Sequence, residues 1–163
     1  MSRDKPPVTP AVRVLRAQRV EFSDHFYSYH PKGGAELGAQ ELGVHPHQVI
    51  KTLIMEDEAG NPMIVLMYGD QKVSTKALAR QLGVKLVRPC EPKVADKHSG
   101  YRVGGTSPFG TRRRMPVYME AGILELPRVY INGGRRGYLL ELDPREIQRV
   151  LEPTLVEGMV SPS

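Results

Sequence analysis

Two apolar runs joined by a polar reversal constrain this chain more than any other feature. Val49 to Glu56 reads VIKTLIME and Pro62 to Gly69 reads PMIVLMYG, with Asp, Gly and Asn between them. The runs are aliphatic and partly β-branched, as strands prefer, and the linking residues are those that turn a backbone. They read as a hairpin with a buried face, and such a hairpin needs other elements to cover it. Lys51 is the anomaly inside the first strand. On the residues alone it is either a surface lysine snorkelling from an apolar stem or a lysine at the floor of a pocket.

The covering elements can be read from caps and breakers. Thr9-Pro10 pairs a hydroxyl N-cap with proline at the first helical position, and Ala11, Val12 and Leu15 form the stripe of a helix ending near Gln18. Val20 to Tyr29 alternates enough for a strand, with Phe22, Phe26 and Tyr27 as candidates for burial. Lys32 to Gly43 reads as a glycine-led helix stopped by Gly43, and Ser74 caps a helix that Gly83 ends. Lys85 to Arg88 is a short strand and Glu91 to His98 a helix. Met115 to Ile123, Arg128 to Gly133 and Tyr138 to Leu142 read as strands, the last two joined by the tight turn GGRRG. Asp143, Pro144 and Glu146 suggest a capping box for a last helix, and the tail from Val156 reads as a frayed end. The element order predicts an α/β (α+β) fold, a mixed sheet with helices packed on it. It fits one domain over residues 1–163, with a core about 9–152.

Composition narrows the function classes. A chain of 163 residues with 40% hydrophobic and 25% charged residues is of soluble globular type. No apolar run approaches the ~20 residues of a membrane span, so the cytoplasm is the expected compartment. Cys90 is the single cysteine, which excludes an internal disulfide and a cysteine-cluster zinc site. The five histidines, at 25, 30, 45, 47 and 98, have no metal-site spacing, and no cofactor motif occurs. The net charge of +5 permits a polyanionic partner, and its distribution is more telling than its size. Arg112, Arg113 and Arg114 stand together, and Arg135 and Arg136 form a pair. Aromatic residues make up 6% and tryptophan is absent, which argues against a base-stacking platform.

The remaining chemistry gathers in GYRVGGTSPFGTRRR, residues 100–114. Four glycines, three serine or threonine hydroxyls and three closing arginines make either an ordinary surface loop or a nest of N–H groups for a developing negative charge. With Lys51 and the tyrosines Tyr27 and Tyr101, these residues form one candidate constellation.

Four stretches, TPAVRVL, HQVIKTLI, SGYRVGGTSPFG and INGGRRG, together resemble the YbaK/EbsC family of freestanding aminoacyl-tRNA deacylases, related to the editing domain of bacterial prolyl-tRNA synthetase. The resemblance runs in order over residues 9–152. It implies a mixed, mostly antiparallel sheet or half-barrel wrapped by helices. It further implies Lys51 as the essential lysine and Gly104, with Gly105 beside it, as the backbone donors to the aminoacyl carbonyl. Tyr27, Tyr101, Thr106, Ser107 and Pro108 are implied as substrate-binding residues, and the arginines at 112–114 and 135–136 as contacts to the tRNA backbone. The implied substrate is Cys-tRNA(Pro), cleaved with help from the cysteine's own thiol, with prolyl-tRNA synthetase as a partner. Some relatives carry an aspartate where this chain has Leu139, which leaves the exact substrate open. Ala- or Ser-tRNA cleaved by water is one alternative, and a non-catalytic tRNA- or synthetase-binding module is another.

Overall fold

A computed structural model describes residues 5–161. Helix α1 (Pro10–Ala17) is capped as expected, the Thr9 hydroxyl accepting from the Val12 N–H at 3.1 Å. Strand β1 (Ser23–Phe26) and helix α2 (Gly34–Leu42) follow, then the hairpin of β2 (Val49–Asp57) and β3 (Pro62–Tyr68). Short β4 (Lys72–Val73) precedes α3 (Thr75–Leu82), β5 (Val87–Pro89) and α4 (Pro92–Ser99). Strands β6 (Val117–Glu120), β7 (Val129–Asn132) and β8 (Tyr138–Leu142), helix α5 (Pro144–Leu151), and strands β9 (Thr154–Val156) and β10 (Val160–Ser161) complete the chain.

The main sheet runs β1-β8-β7-β2-β3-β6-β9, with β5 against the far end of β2. Pairing is antiparallel for β1–β8, β8–β7, β2–β3 and β2–β5, and parallel for β7–β2, β3–β6 and β6–β9. Both faces are covered, which explains the uninterrupted apolar text of β3. Its Ile64 and Leu66 join Ile50 and Ile54 of β2 in a core with α1, α4 and α5, while Met63, Val65 and Met67 face α3 on the other side. Alternation thus sends each residue to a defined layer, and each fully buried Ile, Leu or Met contributes roughly 2 kcal/mol.

Four expectations are corrected. The strand expected over 20–29 is confined to Ser23–Phe26. The strand expected over 115–123 stops at Glu120 and continues as a 3-10 turn, Ala121–Glu125. Glu146 completes no capping box; its carboxylate pairs with Arg149 at 2.9 Å, and Asp143 alone caps α5. The tail is no frayed end: β9 lies parallel to β6, β10 pairs β4, and Val156 and Met159 are buried. Its last two residues lie outside the described ones. Five polar or small residues in eight hid these pairings, because edge contacts with distant strands leave no local periodicity.

Candidate active site

The sheet splits along one edge of β2. Strand β7 pairs with it only through Val49 and Ile50, and β5 only through Met55 to Asp57. Between them, from Lys51 to Ile54, the edge opposite β3 carries no strand among the described residues. The Cys90 N–H donates to the Ile54 carbonyl at 3.0 Å, so residues of even number aim their main-chain groups at this edge. Thr52 therefore turns its N–H and C=O to the open gap. A cavity of about 470 Å³ fills the gap, lined by all of Val49 to Met55. Tyr27, Tyr29, Gly38 and Leu139 form one wall, Pro89, Cys90, Pro92 and Ala95 another, and Val103, Gly104, Thr106 and Asn132 the rim.

The Thr52 hydroxyl is buried in this wall and has no hydrogen-bond partner among the described residues. An unsatisfied buried hydroxyl costs about 1 kcal/mol or more. Thr52→Val is expected to raise the unfolding free energy by about 1 kcal/mol, read from urea denaturation. A loss of stability instead would show that the hydroxyl has a partner.

The glycine loop is fixed from several sides. Val103 N–H donates to the Asp96 carboxylate at 2.9 Å, and Gly105 N–H to the Arg102 carbonyl at 2.7 Å. Asn132 Nδ2 donates to the Gly104 carbonyl at 3.2 Å, while Asn132 Oδ1 accepts from Gly134 and Arg135. One side chain thus ties the INGGRRG turn to the loop. Gly105 has no room for a side chain, since a Cβ there would stand 2.7 Å from the Arg136 nitrogen. Gly104 has φ +93° and packs under Tyr29. Among the described residues its N–H has no acceptor.

The structure brings together Lys51, Tyr27, Gly104 and Thr106 of the expected residues. Gly105 is not among the lining residues, and its N–H donates within the loop to the Arg102 carbonyl. Tyr101 lies in the core at 5% exposure, and its hydroxyl donates to the Phe109 carbonyl at 2.6 Å. Burial pushes its phenol up to about 12, and it does not line the cavity. Ser107 is fully buried, its hydroxyl accepting from the Phe109 N–H, and Pro108 belongs to a second cavity of about 370 Å³. Arg112 and Arg114 line that second cavity and not the first. All five arginines are exposed, and none pairs with a carboxylate among the described residues. Tyr29, Thr52 and Asn132 went unnoticed in the sequence. Only Asn132, inside the INGGRRG stretch, carried a legible signal.

Electrostatics single out Lys51, the one charged side chain among the lining residues. It is half-buried, and its ammonium donates to the Gln71 carbonyl. Burial pulls its proton affinity below the ordinary lysine value, against the pull of Asp70, with Lys72 adding to the fall. Burial raises the Tyr27 phenol, with Tyr29 adding to the rise. The Cys90 thiol is pushed up to about 11 by burial and by Glu56, whose carboxylate accepts from it at 3.6 Å. At neutral pH it stays protonated and is no nucleophile. Among the described residues the lining holds no carboxylate and no imidazole.

A cation, a presented backbone N–H and no general base suit the binding of an electrophile that is already activated. The family model of the aminoacyl-tRNA editing domain matches residues 31–150, which take in β2, the glycine loop and the Asn132–Gly137 turn. The chain belongs to this family. Aminoacyl-tRNA is the substrate class of this editing domain, and deacylation is the activity that membership carries. EbsC of Enterococcus faecalis, named for Cys-tRNA(Pro)/Cys-tRNA(Cys) deacylation, is 27% identical over 140 residues, 85% of each chain. The proline–tRNA ligase of Ligilactobacillus salivarius is 30% identical over 102 residues, 61% of this chain and 17% of that enzyme. A crystal structure described as a trans-editing enzyme for prolyl tRNA synthetase shares the fold. Its TM-score is 0.76 at 21% identity, over 96% of this chain and all of that one. No helix among the described residues is long and apolar enough to cross a membrane.

Proposed function

We propose that this editing domain removes cysteine from mischarged tRNA(Pro), with the substrate's thiol as the nucleophile. The observation that carries the reading is the lining of the cavity, which among the described residues offers the Lys51 ammonium and the unpaired Gly104 N–H but no base and no reactive protein nucleophile. The attacking group must then come from the substrate or from water. A cysteinyl ester brings its own: its sulfur bonds to the ester carbonyl carbon while the bond to the ribose 3′-oxygen breaks. The thiol proton ends on that oxygen, and water opens the strained thiolactone. The oxyanion formed on the way would lie against the Gly104 N–H, a donor worth roughly 3 kcal/mol when well placed.

Lys51 would hold the terminal adenosine's phosphate or ribose, or the carbonyl itself, as a fixed positive charge. The apolar wall of Ala35, Gly38 and Leu139 suits a small side chain, and size alone separates cysteine from proline weakly, which is why a second site is useful. Arg112, Arg113, Arg114 and Arg135 would meet the acceptor-stem backbone without reading sequence. EbsC and the ligase support a functional tie to prolyl-tRNA synthetase, which would supply the choice of tRNA.

The test compares Cys-, S-methylcysteinyl- and Ala-tRNA(Pro) as substrates. The cysteinyl ester should be lost at least tenfold faster than the other two, about 1.4 kcal/mol or more in the barrier. Equal rates for cysteine and alanine would sink thiol assistance and leave water as the nucleophile.

A further inference from the structure

Arg136, one of the arginines expected to contact the tRNA backbone, is engaged within the protein itself. Its Nε donates to the Val103 carbonyl at 2.9 Å, and its guanidinium lies over the Tyr29 ring, 4.9 Å from the centroid. Tyr29 packs on Gly104, and the Arg136 backbone abuts Gly105. The Val103 carbonyl and the Gly104 N–H are the two ends of one peptide group. The chain has no cis peptide bond among the described residues, so the two ends point in opposite directions. Holding the carbonyl therefore aims the N–H. A charged donor on the oxygen also polarises the amide and strengthens its N–H as a donor.

We propose that Arg136 is a positioning residue for the Gly104 N–H, and that Tyr29 stacks on Arg136 to keep it there. The proposal rests on the reading of Gly104 as the donor to the ester's developing oxyanion. It separates Arg136 from Arg135, whose side chain reaches no partner among the described residues. Asn132 holds the next carbonyl along, so the Gly104 residue is gripped at both of its peptide oxygens, and its N–H is left for a ligand. The arrangement places a guanidinium on an amide that a phosphate-binding arginine would have no reason to touch.

Kinetics on tRNA and on the cysteinyl ester of adenosine, which has no phosphate, distinguish the roles. Arg136→Ala should lower kcat about tenfold on both substrates and leave KM within twofold, and Arg136→Lys should recover part of the loss. Arg80→Ala, on the exposed face of α3, should leave kcat unchanged. The Gly104 amide resonance, followed by nitrogen–proton NMR, should move in Arg136→Ala and stay in place in Arg135→Ala. A wild-type rate for Arg136→Ala on the phosphate-free ester, or a raised KM with a salt dependence weaker by about one phosphate contact, would overturn the proposal. An unmoved Gly104 resonance would do the same. Wild-type protein that hydrolyses neither ester would instead overturn the underlying reading of the site.

Discussion

Lys51→Ala is expected to lower kcat/KM for aminoacyl-tRNA deacylation by about 100-fold or more, the usual cost of removing one preorganised charge or donor. Nothing else in the cavity lining can replace its positive charge. Stability should move the other way or not at all, because the ammonium is half-buried on an apolar strand and its charged form is disfavoured there. Lys51→Met, which keeps the stem, should match or exceed the wild type in urea. The sign follows from linkage. The folded protein holds this proton less tightly than the unfolded chain, whose value is the ordinary 10.5. The cost of the buried charge is present below the folded-state value and is relieved as pH rises through it. Stability should therefore gain from Lys51 on the alkaline side while deacylation, corrected for spontaneous hydrolysis, declines. Activity that survives Lys51→Ala with tRNA binding intact would move the chemistry elsewhere.

Gly104→Ala is the second large effect. The residue has φ +93°, where an L side chain costs about 1–2 kcal/mol, and its Cβ would meet the Tyr29 hydroxyl and stand 2.8 Å from the ring. The ring that must yield is the one stacked under Arg136. The loop should shift, and kcat should fall about 100-fold as the N–H loses its aim. Adding Tyr29→Ala should return part of the stability and little of the activity, because space is restored but the strained φ is not. Full recovery of kcat in the double variant would show that the clash, and not the position of the N–H, set the rate.

Much of the fold was legible where local chemistry decides local structure. Thr9, Ser74 and Asp143 cap the helices they were expected to cap, and Gly43 and Gly83 end theirs in the left-handed conformation that favours glycine. The hairpin was legible for the same reason, since apolar runs of strand length around an Asp-Gly-Asn reversal have few alternatives. The tail was not, because β9 and β10 are stabilised by strands far away in the chain. Lys51 stood out as a charge in an apolar strand, but the residues alone left it between solvent and pocket.

Tyr101, Ser107 and Pro108 show the limit of the loop's text. They share a motif with Gly104, yet they point into the core or the second cavity and serve to hold the loop. Caps, turns and alternation, which act over a few residues, were determined by the sequence alone. The gap in the sheet beside Lys51, the free N–H at Gly104 and the grip of Arg136 on the Val103 carbonyl were decided only by the tertiary structure. Each depends on groups that distant segments leave unpaired or bring within a hydrogen bond, and no local preference encodes which groups those are.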